Sequence, residues 1–130
     1  ETFKEQGLKF NRQLLKEGDF TTDSGYETMK EILELPQVDW PTAIFAASDN
    51  QAIGALEAIE EAGLSVPDDF ALIGYDDIEL ARYLKLTTVS QPMFRMGKLG
   101  LETLVNLICN QQHKLVQQKM VPQLVTRESC

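Results

Sequence analysis

The sequence predicts an α/β fold built on a mainly parallel sheet. Two short apolar runs without charged residues, "PTAIFAA" at residues 41–47 and "FALIGY" at residues 70–75, are typical of strands covered on both faces. Helical spacing fills the segment between them, and a strand, helix and strand of this length imply a right-handed crossover with parallel pairing. A third run, "LTTVSQP" at residues 86–92, is rich in β-branched residues and extends the predicted sheet.

The amino-terminal third predicts one helix with a defined start, and the segment before it fits two kinds of element. The opening "ETFKEQGLKF" has helix-forming residues but no cap, as though it began partway through a helix. "NRQLLKEGDF", residues 11–20, is compatible with a short strand or a short helix, and we favour the strand. "SGYE", residues 24–27, has the Ser-x-x-Glu form of a capping box and predicts a helix that runs up to Pro36.

The remaining elements follow from caps and periodicity. Ser48 and Gln51 stand at the spacing of a second capping box, which predicts a helix over "SDNQAIGALEAIEEAG" that closes on Gly63. "IELARYL" indicates a short helix, and "MFRMGKLGLETLVNLICNQ" indicates a long one. "KMVPQLVTRESC" alternates enough for an edge strand, in which Pro122 marks an edge or a bulge because it lacks the N–H group that a central strand needs.

The composition bounds the function. The 130 residues are 43% apolar and 25% charged, which predicts one globular unit and is compatible with a piece cut from a longer protein. Twelve basic and twenty acidic residues give a formal charge of −8, the wrong sign for a surface that neutralises DNA phosphates. No apolar run approaches the roughly 20 residues that span a bilayer, and the opening "ETFKEQG" lacks the basic and apolar parts of a leader. We therefore expect no membrane insertion and no DNA binding by this chain itself.

Few residues suit metal, cofactor or catalytic chemistry. Cys109 and Cys130 are too sparse for a disulfide framework, which favours reduced thiols and a cytoplasmic location. His113 has no second ligand nearby, and the glycines of "AIGALEAIEEAGL" lie within and after a helix instead of in a phosphate-binding opening turn. No nucleophile and base are paired in the sequence, so we expect neither an enzyme nor a bound cofactor or metal.

Acidic side chains follow two predicted neighbouring strands. In an open parallel α/β sheet, ligands bind in the crevice outside the carboxyl ends of the strands. Asp49 comes just after the first apolar run, and Asp76 and Asp77 come just after the second, which suggests a ligand rich in hydroxyl or amino groups. We expect Asp76 to contact the ligand, whereas Asp77 is better explained as the cap of "IELARYL", and Asp49 is likewise grouped with the structural or capping acids.

Two further residues have both a structural and a ligand-facing interpretation. Ser48 is a helix cap, yet a cap at the mouth of the crevice can also face a ligand. Phe20 follows Gly18 and Asp19, and it is equally compatible with a place in the core and with an aromatic platform for a sugar ring.

The order of these motifs resembles a known family. "PTAIFAASDNQAIGALEAIEEAGLSVPDDFALIGYDDIELARYL", followed by "LTTVSQPMFRMGKLGLETL" and "LVTRESC", resembles the effector-binding domain of the LacI/GalR family of bacterial transcriptional regulators. The resemblance implies a fragment of a two-lobed, type I periplasmic-binding-protein-like sensor. Residues 1–91 would form mainly the carboxyl-terminal lobe, residues 92–117 a crossover helix of the other lobe, and residues 118–130 a returning strand. The family's DNA-binding domain is absent from this chain.

The resemblance also implies roles for individual residues. Asp76, the first acid of "GYDD", matches the family's contact with the effector, and Ser48 stands where the family usually carries Asn. The implied effector-binding set is Asp76, Ser48, Phe20, Gln91 and Met93. Ile53, Tyr83 and Leu84 match positions that form part of the family's dimer interface.

The implied function is that of a sensor. A sugar-like small molecule would bind between two lobes of a homodimeric regulator and control operator binding by an amino-terminal helix-turn-helix. The alternative is a periplasmic sugar-binding protein of an ABC transporter, which shares the fold and has no DNA partner.

Overall fold

The computed structural model describes residues 5–7, 9, 11–110 and 117–130. In these residues four helices and four strands alternate along much of the chain. The helices are α1 (Thr22–Leu33), α2 (Asp49–Glu61), α3 (Glu79–Tyr83) and α4 (Met93–Asn110). The strands are β1 (Ala43–Phe45), β2 (Ala71–Asp76), β3 (Thr87–Ser90) and β4 (Gln123–Val125). Short 3-10 turns lie at Arg12–Leu14 and Gln37–Asp39. His113 and most of the opening segment lie outside the described residues.

The four strands form one sheet in the order β1-β2-β3-β4. The first three are parallel, with Ile44 opposite Leu72 and Gly74 opposite Thr88, and β4 pairs antiparallel with β3. The predicted α/β class with a mainly parallel sheet is confirmed. Because β1, β2 and β3 run the same way, their carboxyl ends meet at one edge of the sheet, where the predicted site residues follow.

One face of the sheet carries the core. Met29 and Ile32 of α1, Ile59 of α2 and Leu72 of β2 are buried together. The opposite face is open in the described part of the chain, since Phe45 of β1 is 64% exposed. The prediction that β1 is covered on both faces is therefore wrong, because α1 and α2 pack against one face only.

Two glycines let α1 and α2 pack closely. A Cβ atom at Gly25 would overlap the backbone of Gln51, and a Cβ atom at Gly54 would overlap the carbonyl oxygen of Thr22. Backbone therefore meets backbone at this crossing, which a larger residue would push apart. The crossing brings the start of α1 and its preceding turn next to the start of α2.

The helix starts agree with the sequence in one case and differ in the other. Ser48 caps α2 as predicted, and its Oγ accepts a hydrogen bond of 3.2 Å from the backbone N–H of Gln51. Helix α1 begins two residues before the predicted Ser24, because the side chain of Thr21 accepts from the backbone N–H of Ser24 at 3.2 Å. Ser24 instead donates its hydroxyl back to the carbonyl oxygen of Thr21 at 3.0 Å.

The favoured strand in residues 11–20 is not formed. A short 3-10 turn capped by Asn11 occupies Arg12–Leu14, and residues 15–20 are irregular. A strand needs a neighbouring strand to satisfy its backbone groups, and the described sheet begins with β1 without including this segment. β4 is an edge strand that directly follows Pro122, as the sequence predicts.

We expect Gly54→Ala to lower the free energy of unfolding by about 1 to 3 kcal/mol, because the added methyl group overpacks the crossing of α1 and α2. Urea denaturation measures this change. Gly97→Ala in α4 is the matched control, since a Cβ atom there meets nothing within 4 Å and the substitution raises helix propensity. Equal effects of the two substitutions would contradict the close crossing.

Candidate functional site

The predicted site residues gather at the carboxyl edge of the sheet. Ser48 lies three residues after β1, Asp76 ends β2, and Gln91 directly follows β3. The side chains of Asp76 and Gln91 are joined, because Gln91 Nε2 donates to Asp76 Oδ1 at 2.9 Å. Both side chains are half-buried, so they remain accessible to a ligand at this edge.

The backbone at the end of β2 adopts an uncommon conformation. Asp76 has φ 114° and Asp77 has φ 58°, two consecutive residues other than glycine with positive φ. Such residues cost of order 1 to 3 kcal/mol each and persist only where the surrounding structure holds them. Asp and Asn tolerate these angles better than bulky residues, which is consistent with two acids at this point.

Three elements hold this turn. Asp76 is bound by Gln91, and Asp77 Oδ1 is bound by Arg127 Nη2 at 2.6 Å. The next residue, Ile78, donates its backbone N–H to Asp49 Oδ2 at 2.8 Å. Each of three consecutive residues is thus fixed by a side chain from a different part of the chain.

The structure corrects the role predicted for Asp77. Helix α3 has Ile78 at its N-cap position, and no side-chain capping bond is formed there. Asp77 instead pairs with Arg127, and the two side chains are only 25% and 17% exposed. The sequence pattern near Asp77 suggested a cap. The pairing with Arg127 could not be predicted from that pattern, because the two residues lie 50 positions apart.

Asp49 does not line the crevice. Its side chain is fully buried, and Asp49 Oδ1 accepts from the hydroxyl of Thr88 at 2.5 Å while Oδ2 accepts from Ile78. Gly74 faces this carboxylate so closely that a Cβ atom would overlap Oδ1. Asp49 is therefore a structural acid, in agreement with its grouping from the sequence. Its carboxylate connects α2 to β3 and to the turn after β2.

Phe20 lies outside the core at the same end of the molecule. Its side chain is 61% exposed and its φ is 68°, which excludes the core interpretation. Asp19 Oδ1 accepts from the hydroxyl of Thr21 at 2.6 Å and from its N–H at 3.1 Å, so a tight turn presents Phe20. These hydrogen bonds lower the pKa of the Asp19 carboxyl below its ordinary value, and the bond from the Thr21 hydroxyl has the largest effect.

Ser48 connects Phe20 to the carboxyl edge. Its side chain is 4% exposed, and Ser48 Oγ donates to the carbonyl oxygen of Phe20 at 3.3 Å. The same oxygen accepts from Gln51, so the hydroxyl is already engaged on both sides. A direct contact between Ser48 and an effector stays a prediction, whereas its contact with the Phe20 turn is present in the structure.

Gln91 and Met93 lie on either side of Pro92, where the chain leaves β3 and enters α4. Met93 is 60% exposed at the first position of that helix. A cavity of about 400 Å³ lies between the sheet and α4 beside Gln91. Its lining includes Tyr75, Gln91, Pro92, Met96, Leu99 and Gly100.

The residues predicted for self-association lie elsewhere. Ile53 is half-buried in the second turn of α2. Tyr83 at the end of α3 is 72% exposed, and Leu84 follows it. Their role in a dimer stays a prediction.

The described residues contain no group of three His, Cys, Asp or Glu side chains placed to hold a metal ion. Within the same ranges, no helix has the length and apolar character needed to cross a membrane. Cys109 and Cys130 are both free and exposed.

The fold and the polar edge are typical of an α/β ligand-binding domain, and comparison with known proteins identifies the domain family. A family described as the periplasmic binding protein-like domain matches residues 1–130. The HTH-type transcriptional repressor PurR of Aliivibrio fischeri strain MJ11 is 40% identical over 124 residues, which cover 94% of this chain and 37% of that protein. The PurR repressor of Photorhabdus laumondii is 39% identical over 128 residues, covering 97% of this chain and 37% of that protein.

Solved structures of transcriptional regulators are also similar to this chain. The transcriptional regulator CelR in complex with cellobiose has a TM-score of 0.90 and 35% identity, covering 98% of this chain and 39% of that one. A LacI family regulator from Lactobacillus casei with bound sucrose has a TM-score of 0.86 and 29% identity, covering 98% and 47%. The chain belongs to the periplasmic binding protein-like domain family, and it resembles a fragment of the LacI/GalR effector-binding domain over nearly its whole length. It spans just over a third of the length of the PurR repressors it matches.

We expect Asp49→Ala to lower the free energy of unfolding by about 3 kcal/mol or more, because it removes the carboxylate that accepts one buried and one partly buried hydrogen bond. Thermal and urea unfolding measure the loss. Asp23→Ala is the control, since Asp23 also stands in the first turn of a helix but is exposed. An Asp49→Ala effect no larger than that of the control would show that Asp49 contributes only through the helix dipole.

Proposed function

We propose that this chain is the effector-sensing part of a LacI/GalR-type regulator that binds a sugar-like small molecule at the carboxyl edge of the sheet. The observation that carries the proposal is the half-buried Asp76 carboxylate, held beside Gln91 in a strained turn. A carboxylate oxygen that accepts from an amide retains lone pairs for ligand hydroxyl or amino groups. The similar structures bound to cellobiose and sucrose support a carbohydrate at this edge.

The chemistry of the edge favours an uncharged polyol over an anion. Asp76 supplies negative charge, and the nearby guanidinium of Arg127 is occupied by Asp77 and by the carbonyl oxygen of Leu86. Phe20 offers an exposed aromatic face on which the apolar face of a sugar ring can stack. In this proposal Gln91 orients Asp76 and adds its own amide, Met93 borders the site from the crossover, and Ser48 holds the Phe20 turn.

In the complete regulator, we propose that effector binding between two lobes controls operator binding by an amino-terminal helix-turn-helix. The similarity to PurR repressors supports this function over that of a periplasmic sugar-binding protein and over an enzyme. Such a regulator would act in the cytoplasm as a homodimer that uses Ile53, Tyr83 and Leu84, and the exposed ring of Tyr83 supports the last part. Effector binding changes operator affinity only if the effector prefers one lobe arrangement.

We expect Asp76→Asn to weaken effector binding by the complete regulator about ten- to a hundredfold, because a hydrogen bond to a charged acceptor contributes roughly 1.5 to 3 kcal/mol. Asn tolerates the positive φ of this position, so the fold should be retained. Calorimetry with cellobiose, sucrose and ribose identifies the sugar and measures the loss. The variant should still bind operator and no longer respond to the sugar.

Asp68→Asn is the matched control for charge, since Asp68 is exposed in the loop before β2. It should bind the sugar like the unmodified protein. Unchanged affinity in Asp76→Asn would contradict the proposed site.

We expect Ile53→Asp to weaken the dimer of the complete regulator, because a charge within an apolar interface must be desolvated without a partner. Sedimentation velocity over a range of concentrations measures the change. Val38→Asp, at a position that is 90% exposed, is the control. Identical dimerisation of both variants would place the interface elsewhere.

A further inference from the structure

We infer that Arg127 is a positioning residue of the effector site, which sets the direction of the Asp76 carboxylate through its ion pair with Asp77. The inference rests on the proposed function, in which Asp76 contacts the effector. Arg127 lies two residues after β4, on the segment that returns from α4, and nothing in the local sequence connects it with "GYDD".

Arg127 is held firmly enough to act as a reference point. Its Nη2 binds Asp77 Oδ1 at 2.6 Å, and its Nη1 binds the carbonyl oxygen of Leu86 at 2.7 Å. Its backbone N–H donates to the hydroxyl of Thr87 at 2.8 Å. The planar guanidinium is thus fixed by two hydrogen bonds in different directions. The ammonium group of Lys cannot reproduce this geometry.

The ion pair acts on Asp77, the residue that directly follows Asp76 in the chain. Asp77 has φ 58° and shares a peptide group with Asp76, whose φ is 114°. Because Ile78 is held, a change of Asp77 to negative φ would have to be absorbed by the backbone of Asp76, which would move the Asp76 carboxylate away from Gln91. Ile78 is already anchored by Asp49, so the Arg127 contact determines the conformation of the residue between two fixed points.

The two adjacent acids also bind the two chain segments that lead to and from α4. Asp76 contacts Gln91 on the outgoing segment, and Asp77 contacts Arg127 on the returning one. An effector that binds Asp76 would therefore contact a turn that is hydrogen-bonded to both segments.

The test is a double-mutant cycle in the complete regulator, with Arg127→Met, Asp76→Asn and the double variant. The probe is whichever of cellobiose, sucrose and ribose binds the unmodified protein in calorimetry. We expect Arg127→Met to raise the Kd about tenfold when Asp76 is present and to leave the Kd of the Asp76→Asn protein unchanged, because residues that act through one group are not additive. Lys85→Met is the control. The ion pair of Lys85 with Glu128 is 2.7 Å long, similar to the 2.6 Å pair of Arg127 with Asp77, but it is exposed.

A merely structural Arg127 would lower the unfolding free energy and leave the Kd unchanged, or would raise the Kd equally in both backgrounds. Either result overturns the inference, while the loss of affinity in Asp76→Asn would still support the proposed function. Unchanged affinity in Asp76→Asn would overturn the proposed function and the inference together.

A crystal structure of the Arg127→Met regulator supplies a readout that needs no ligand. We expect the 2.9 Å contact between Gln91 and Asp76 to be lost. An Asp76 carboxylate that keeps its position would overturn the inference. If Arg127→Met does not fold, Arg127→Lys serves in both experiments, because it retains the charge and loses the planar fork.

Discussion

The structure around the sheet depends on the buried carboxylate of Asp49. A charged group without access to water is stable in the interior only when its oxygens accept hydrogen bonds, and here they do so from Thr88 and Ile78. These partners belong to β3 and to the turn after β2, while Asp49 itself begins α2. The requirement to satisfy one acid therefore fixes the relative positions of three elements at the edge where the effector is proposed to bind.

This anchor makes the unusual turn after β2 possible. Two residues with positive φ would relax if their neighbours were free, but Ile78 is fixed by Asp49 and the acids before it are bound by Gln91 and Arg127. Strain at this point is therefore maintained by contacts from distant parts of the chain. The result is a half-buried carboxylate whose direction is fixed in advance, which would lower the entropy lost in the proposed binding of an effector.

The aromatic side of the proposed site is organised in a related way. Phe20 stands in a left-handed turn that is closed by Asp19 and Thr21 and is tied to Ser48 by a hydrogen bond to its carbonyl oxygen. Since Ser48 also caps α2, one hydroxyl links the start of that helix to the turn that presents the ring. Because the Ser48 hydroxyl is engaged on both sides, Asp76, Gln91 and Phe20 are the groups of the proposed site best placed to select an effector.

The sequence alone determined the features that depend on near neighbours. The period of apolar residues predicted the α/β alternation, the Ser48 capping box predicted the start of α2, and "GYDD" placed Asp76 at the end of a strand. Only the tertiary structure decided that Asp77 pairs with Arg127, that Asp49 is buried, and that residues 11–20 form no strand. The physical reason is that caps and periodicity act within a few residues. The contacts of Asp77 and Asp49 join residues 29 to 50 positions apart, and they exist only after the strands have paired.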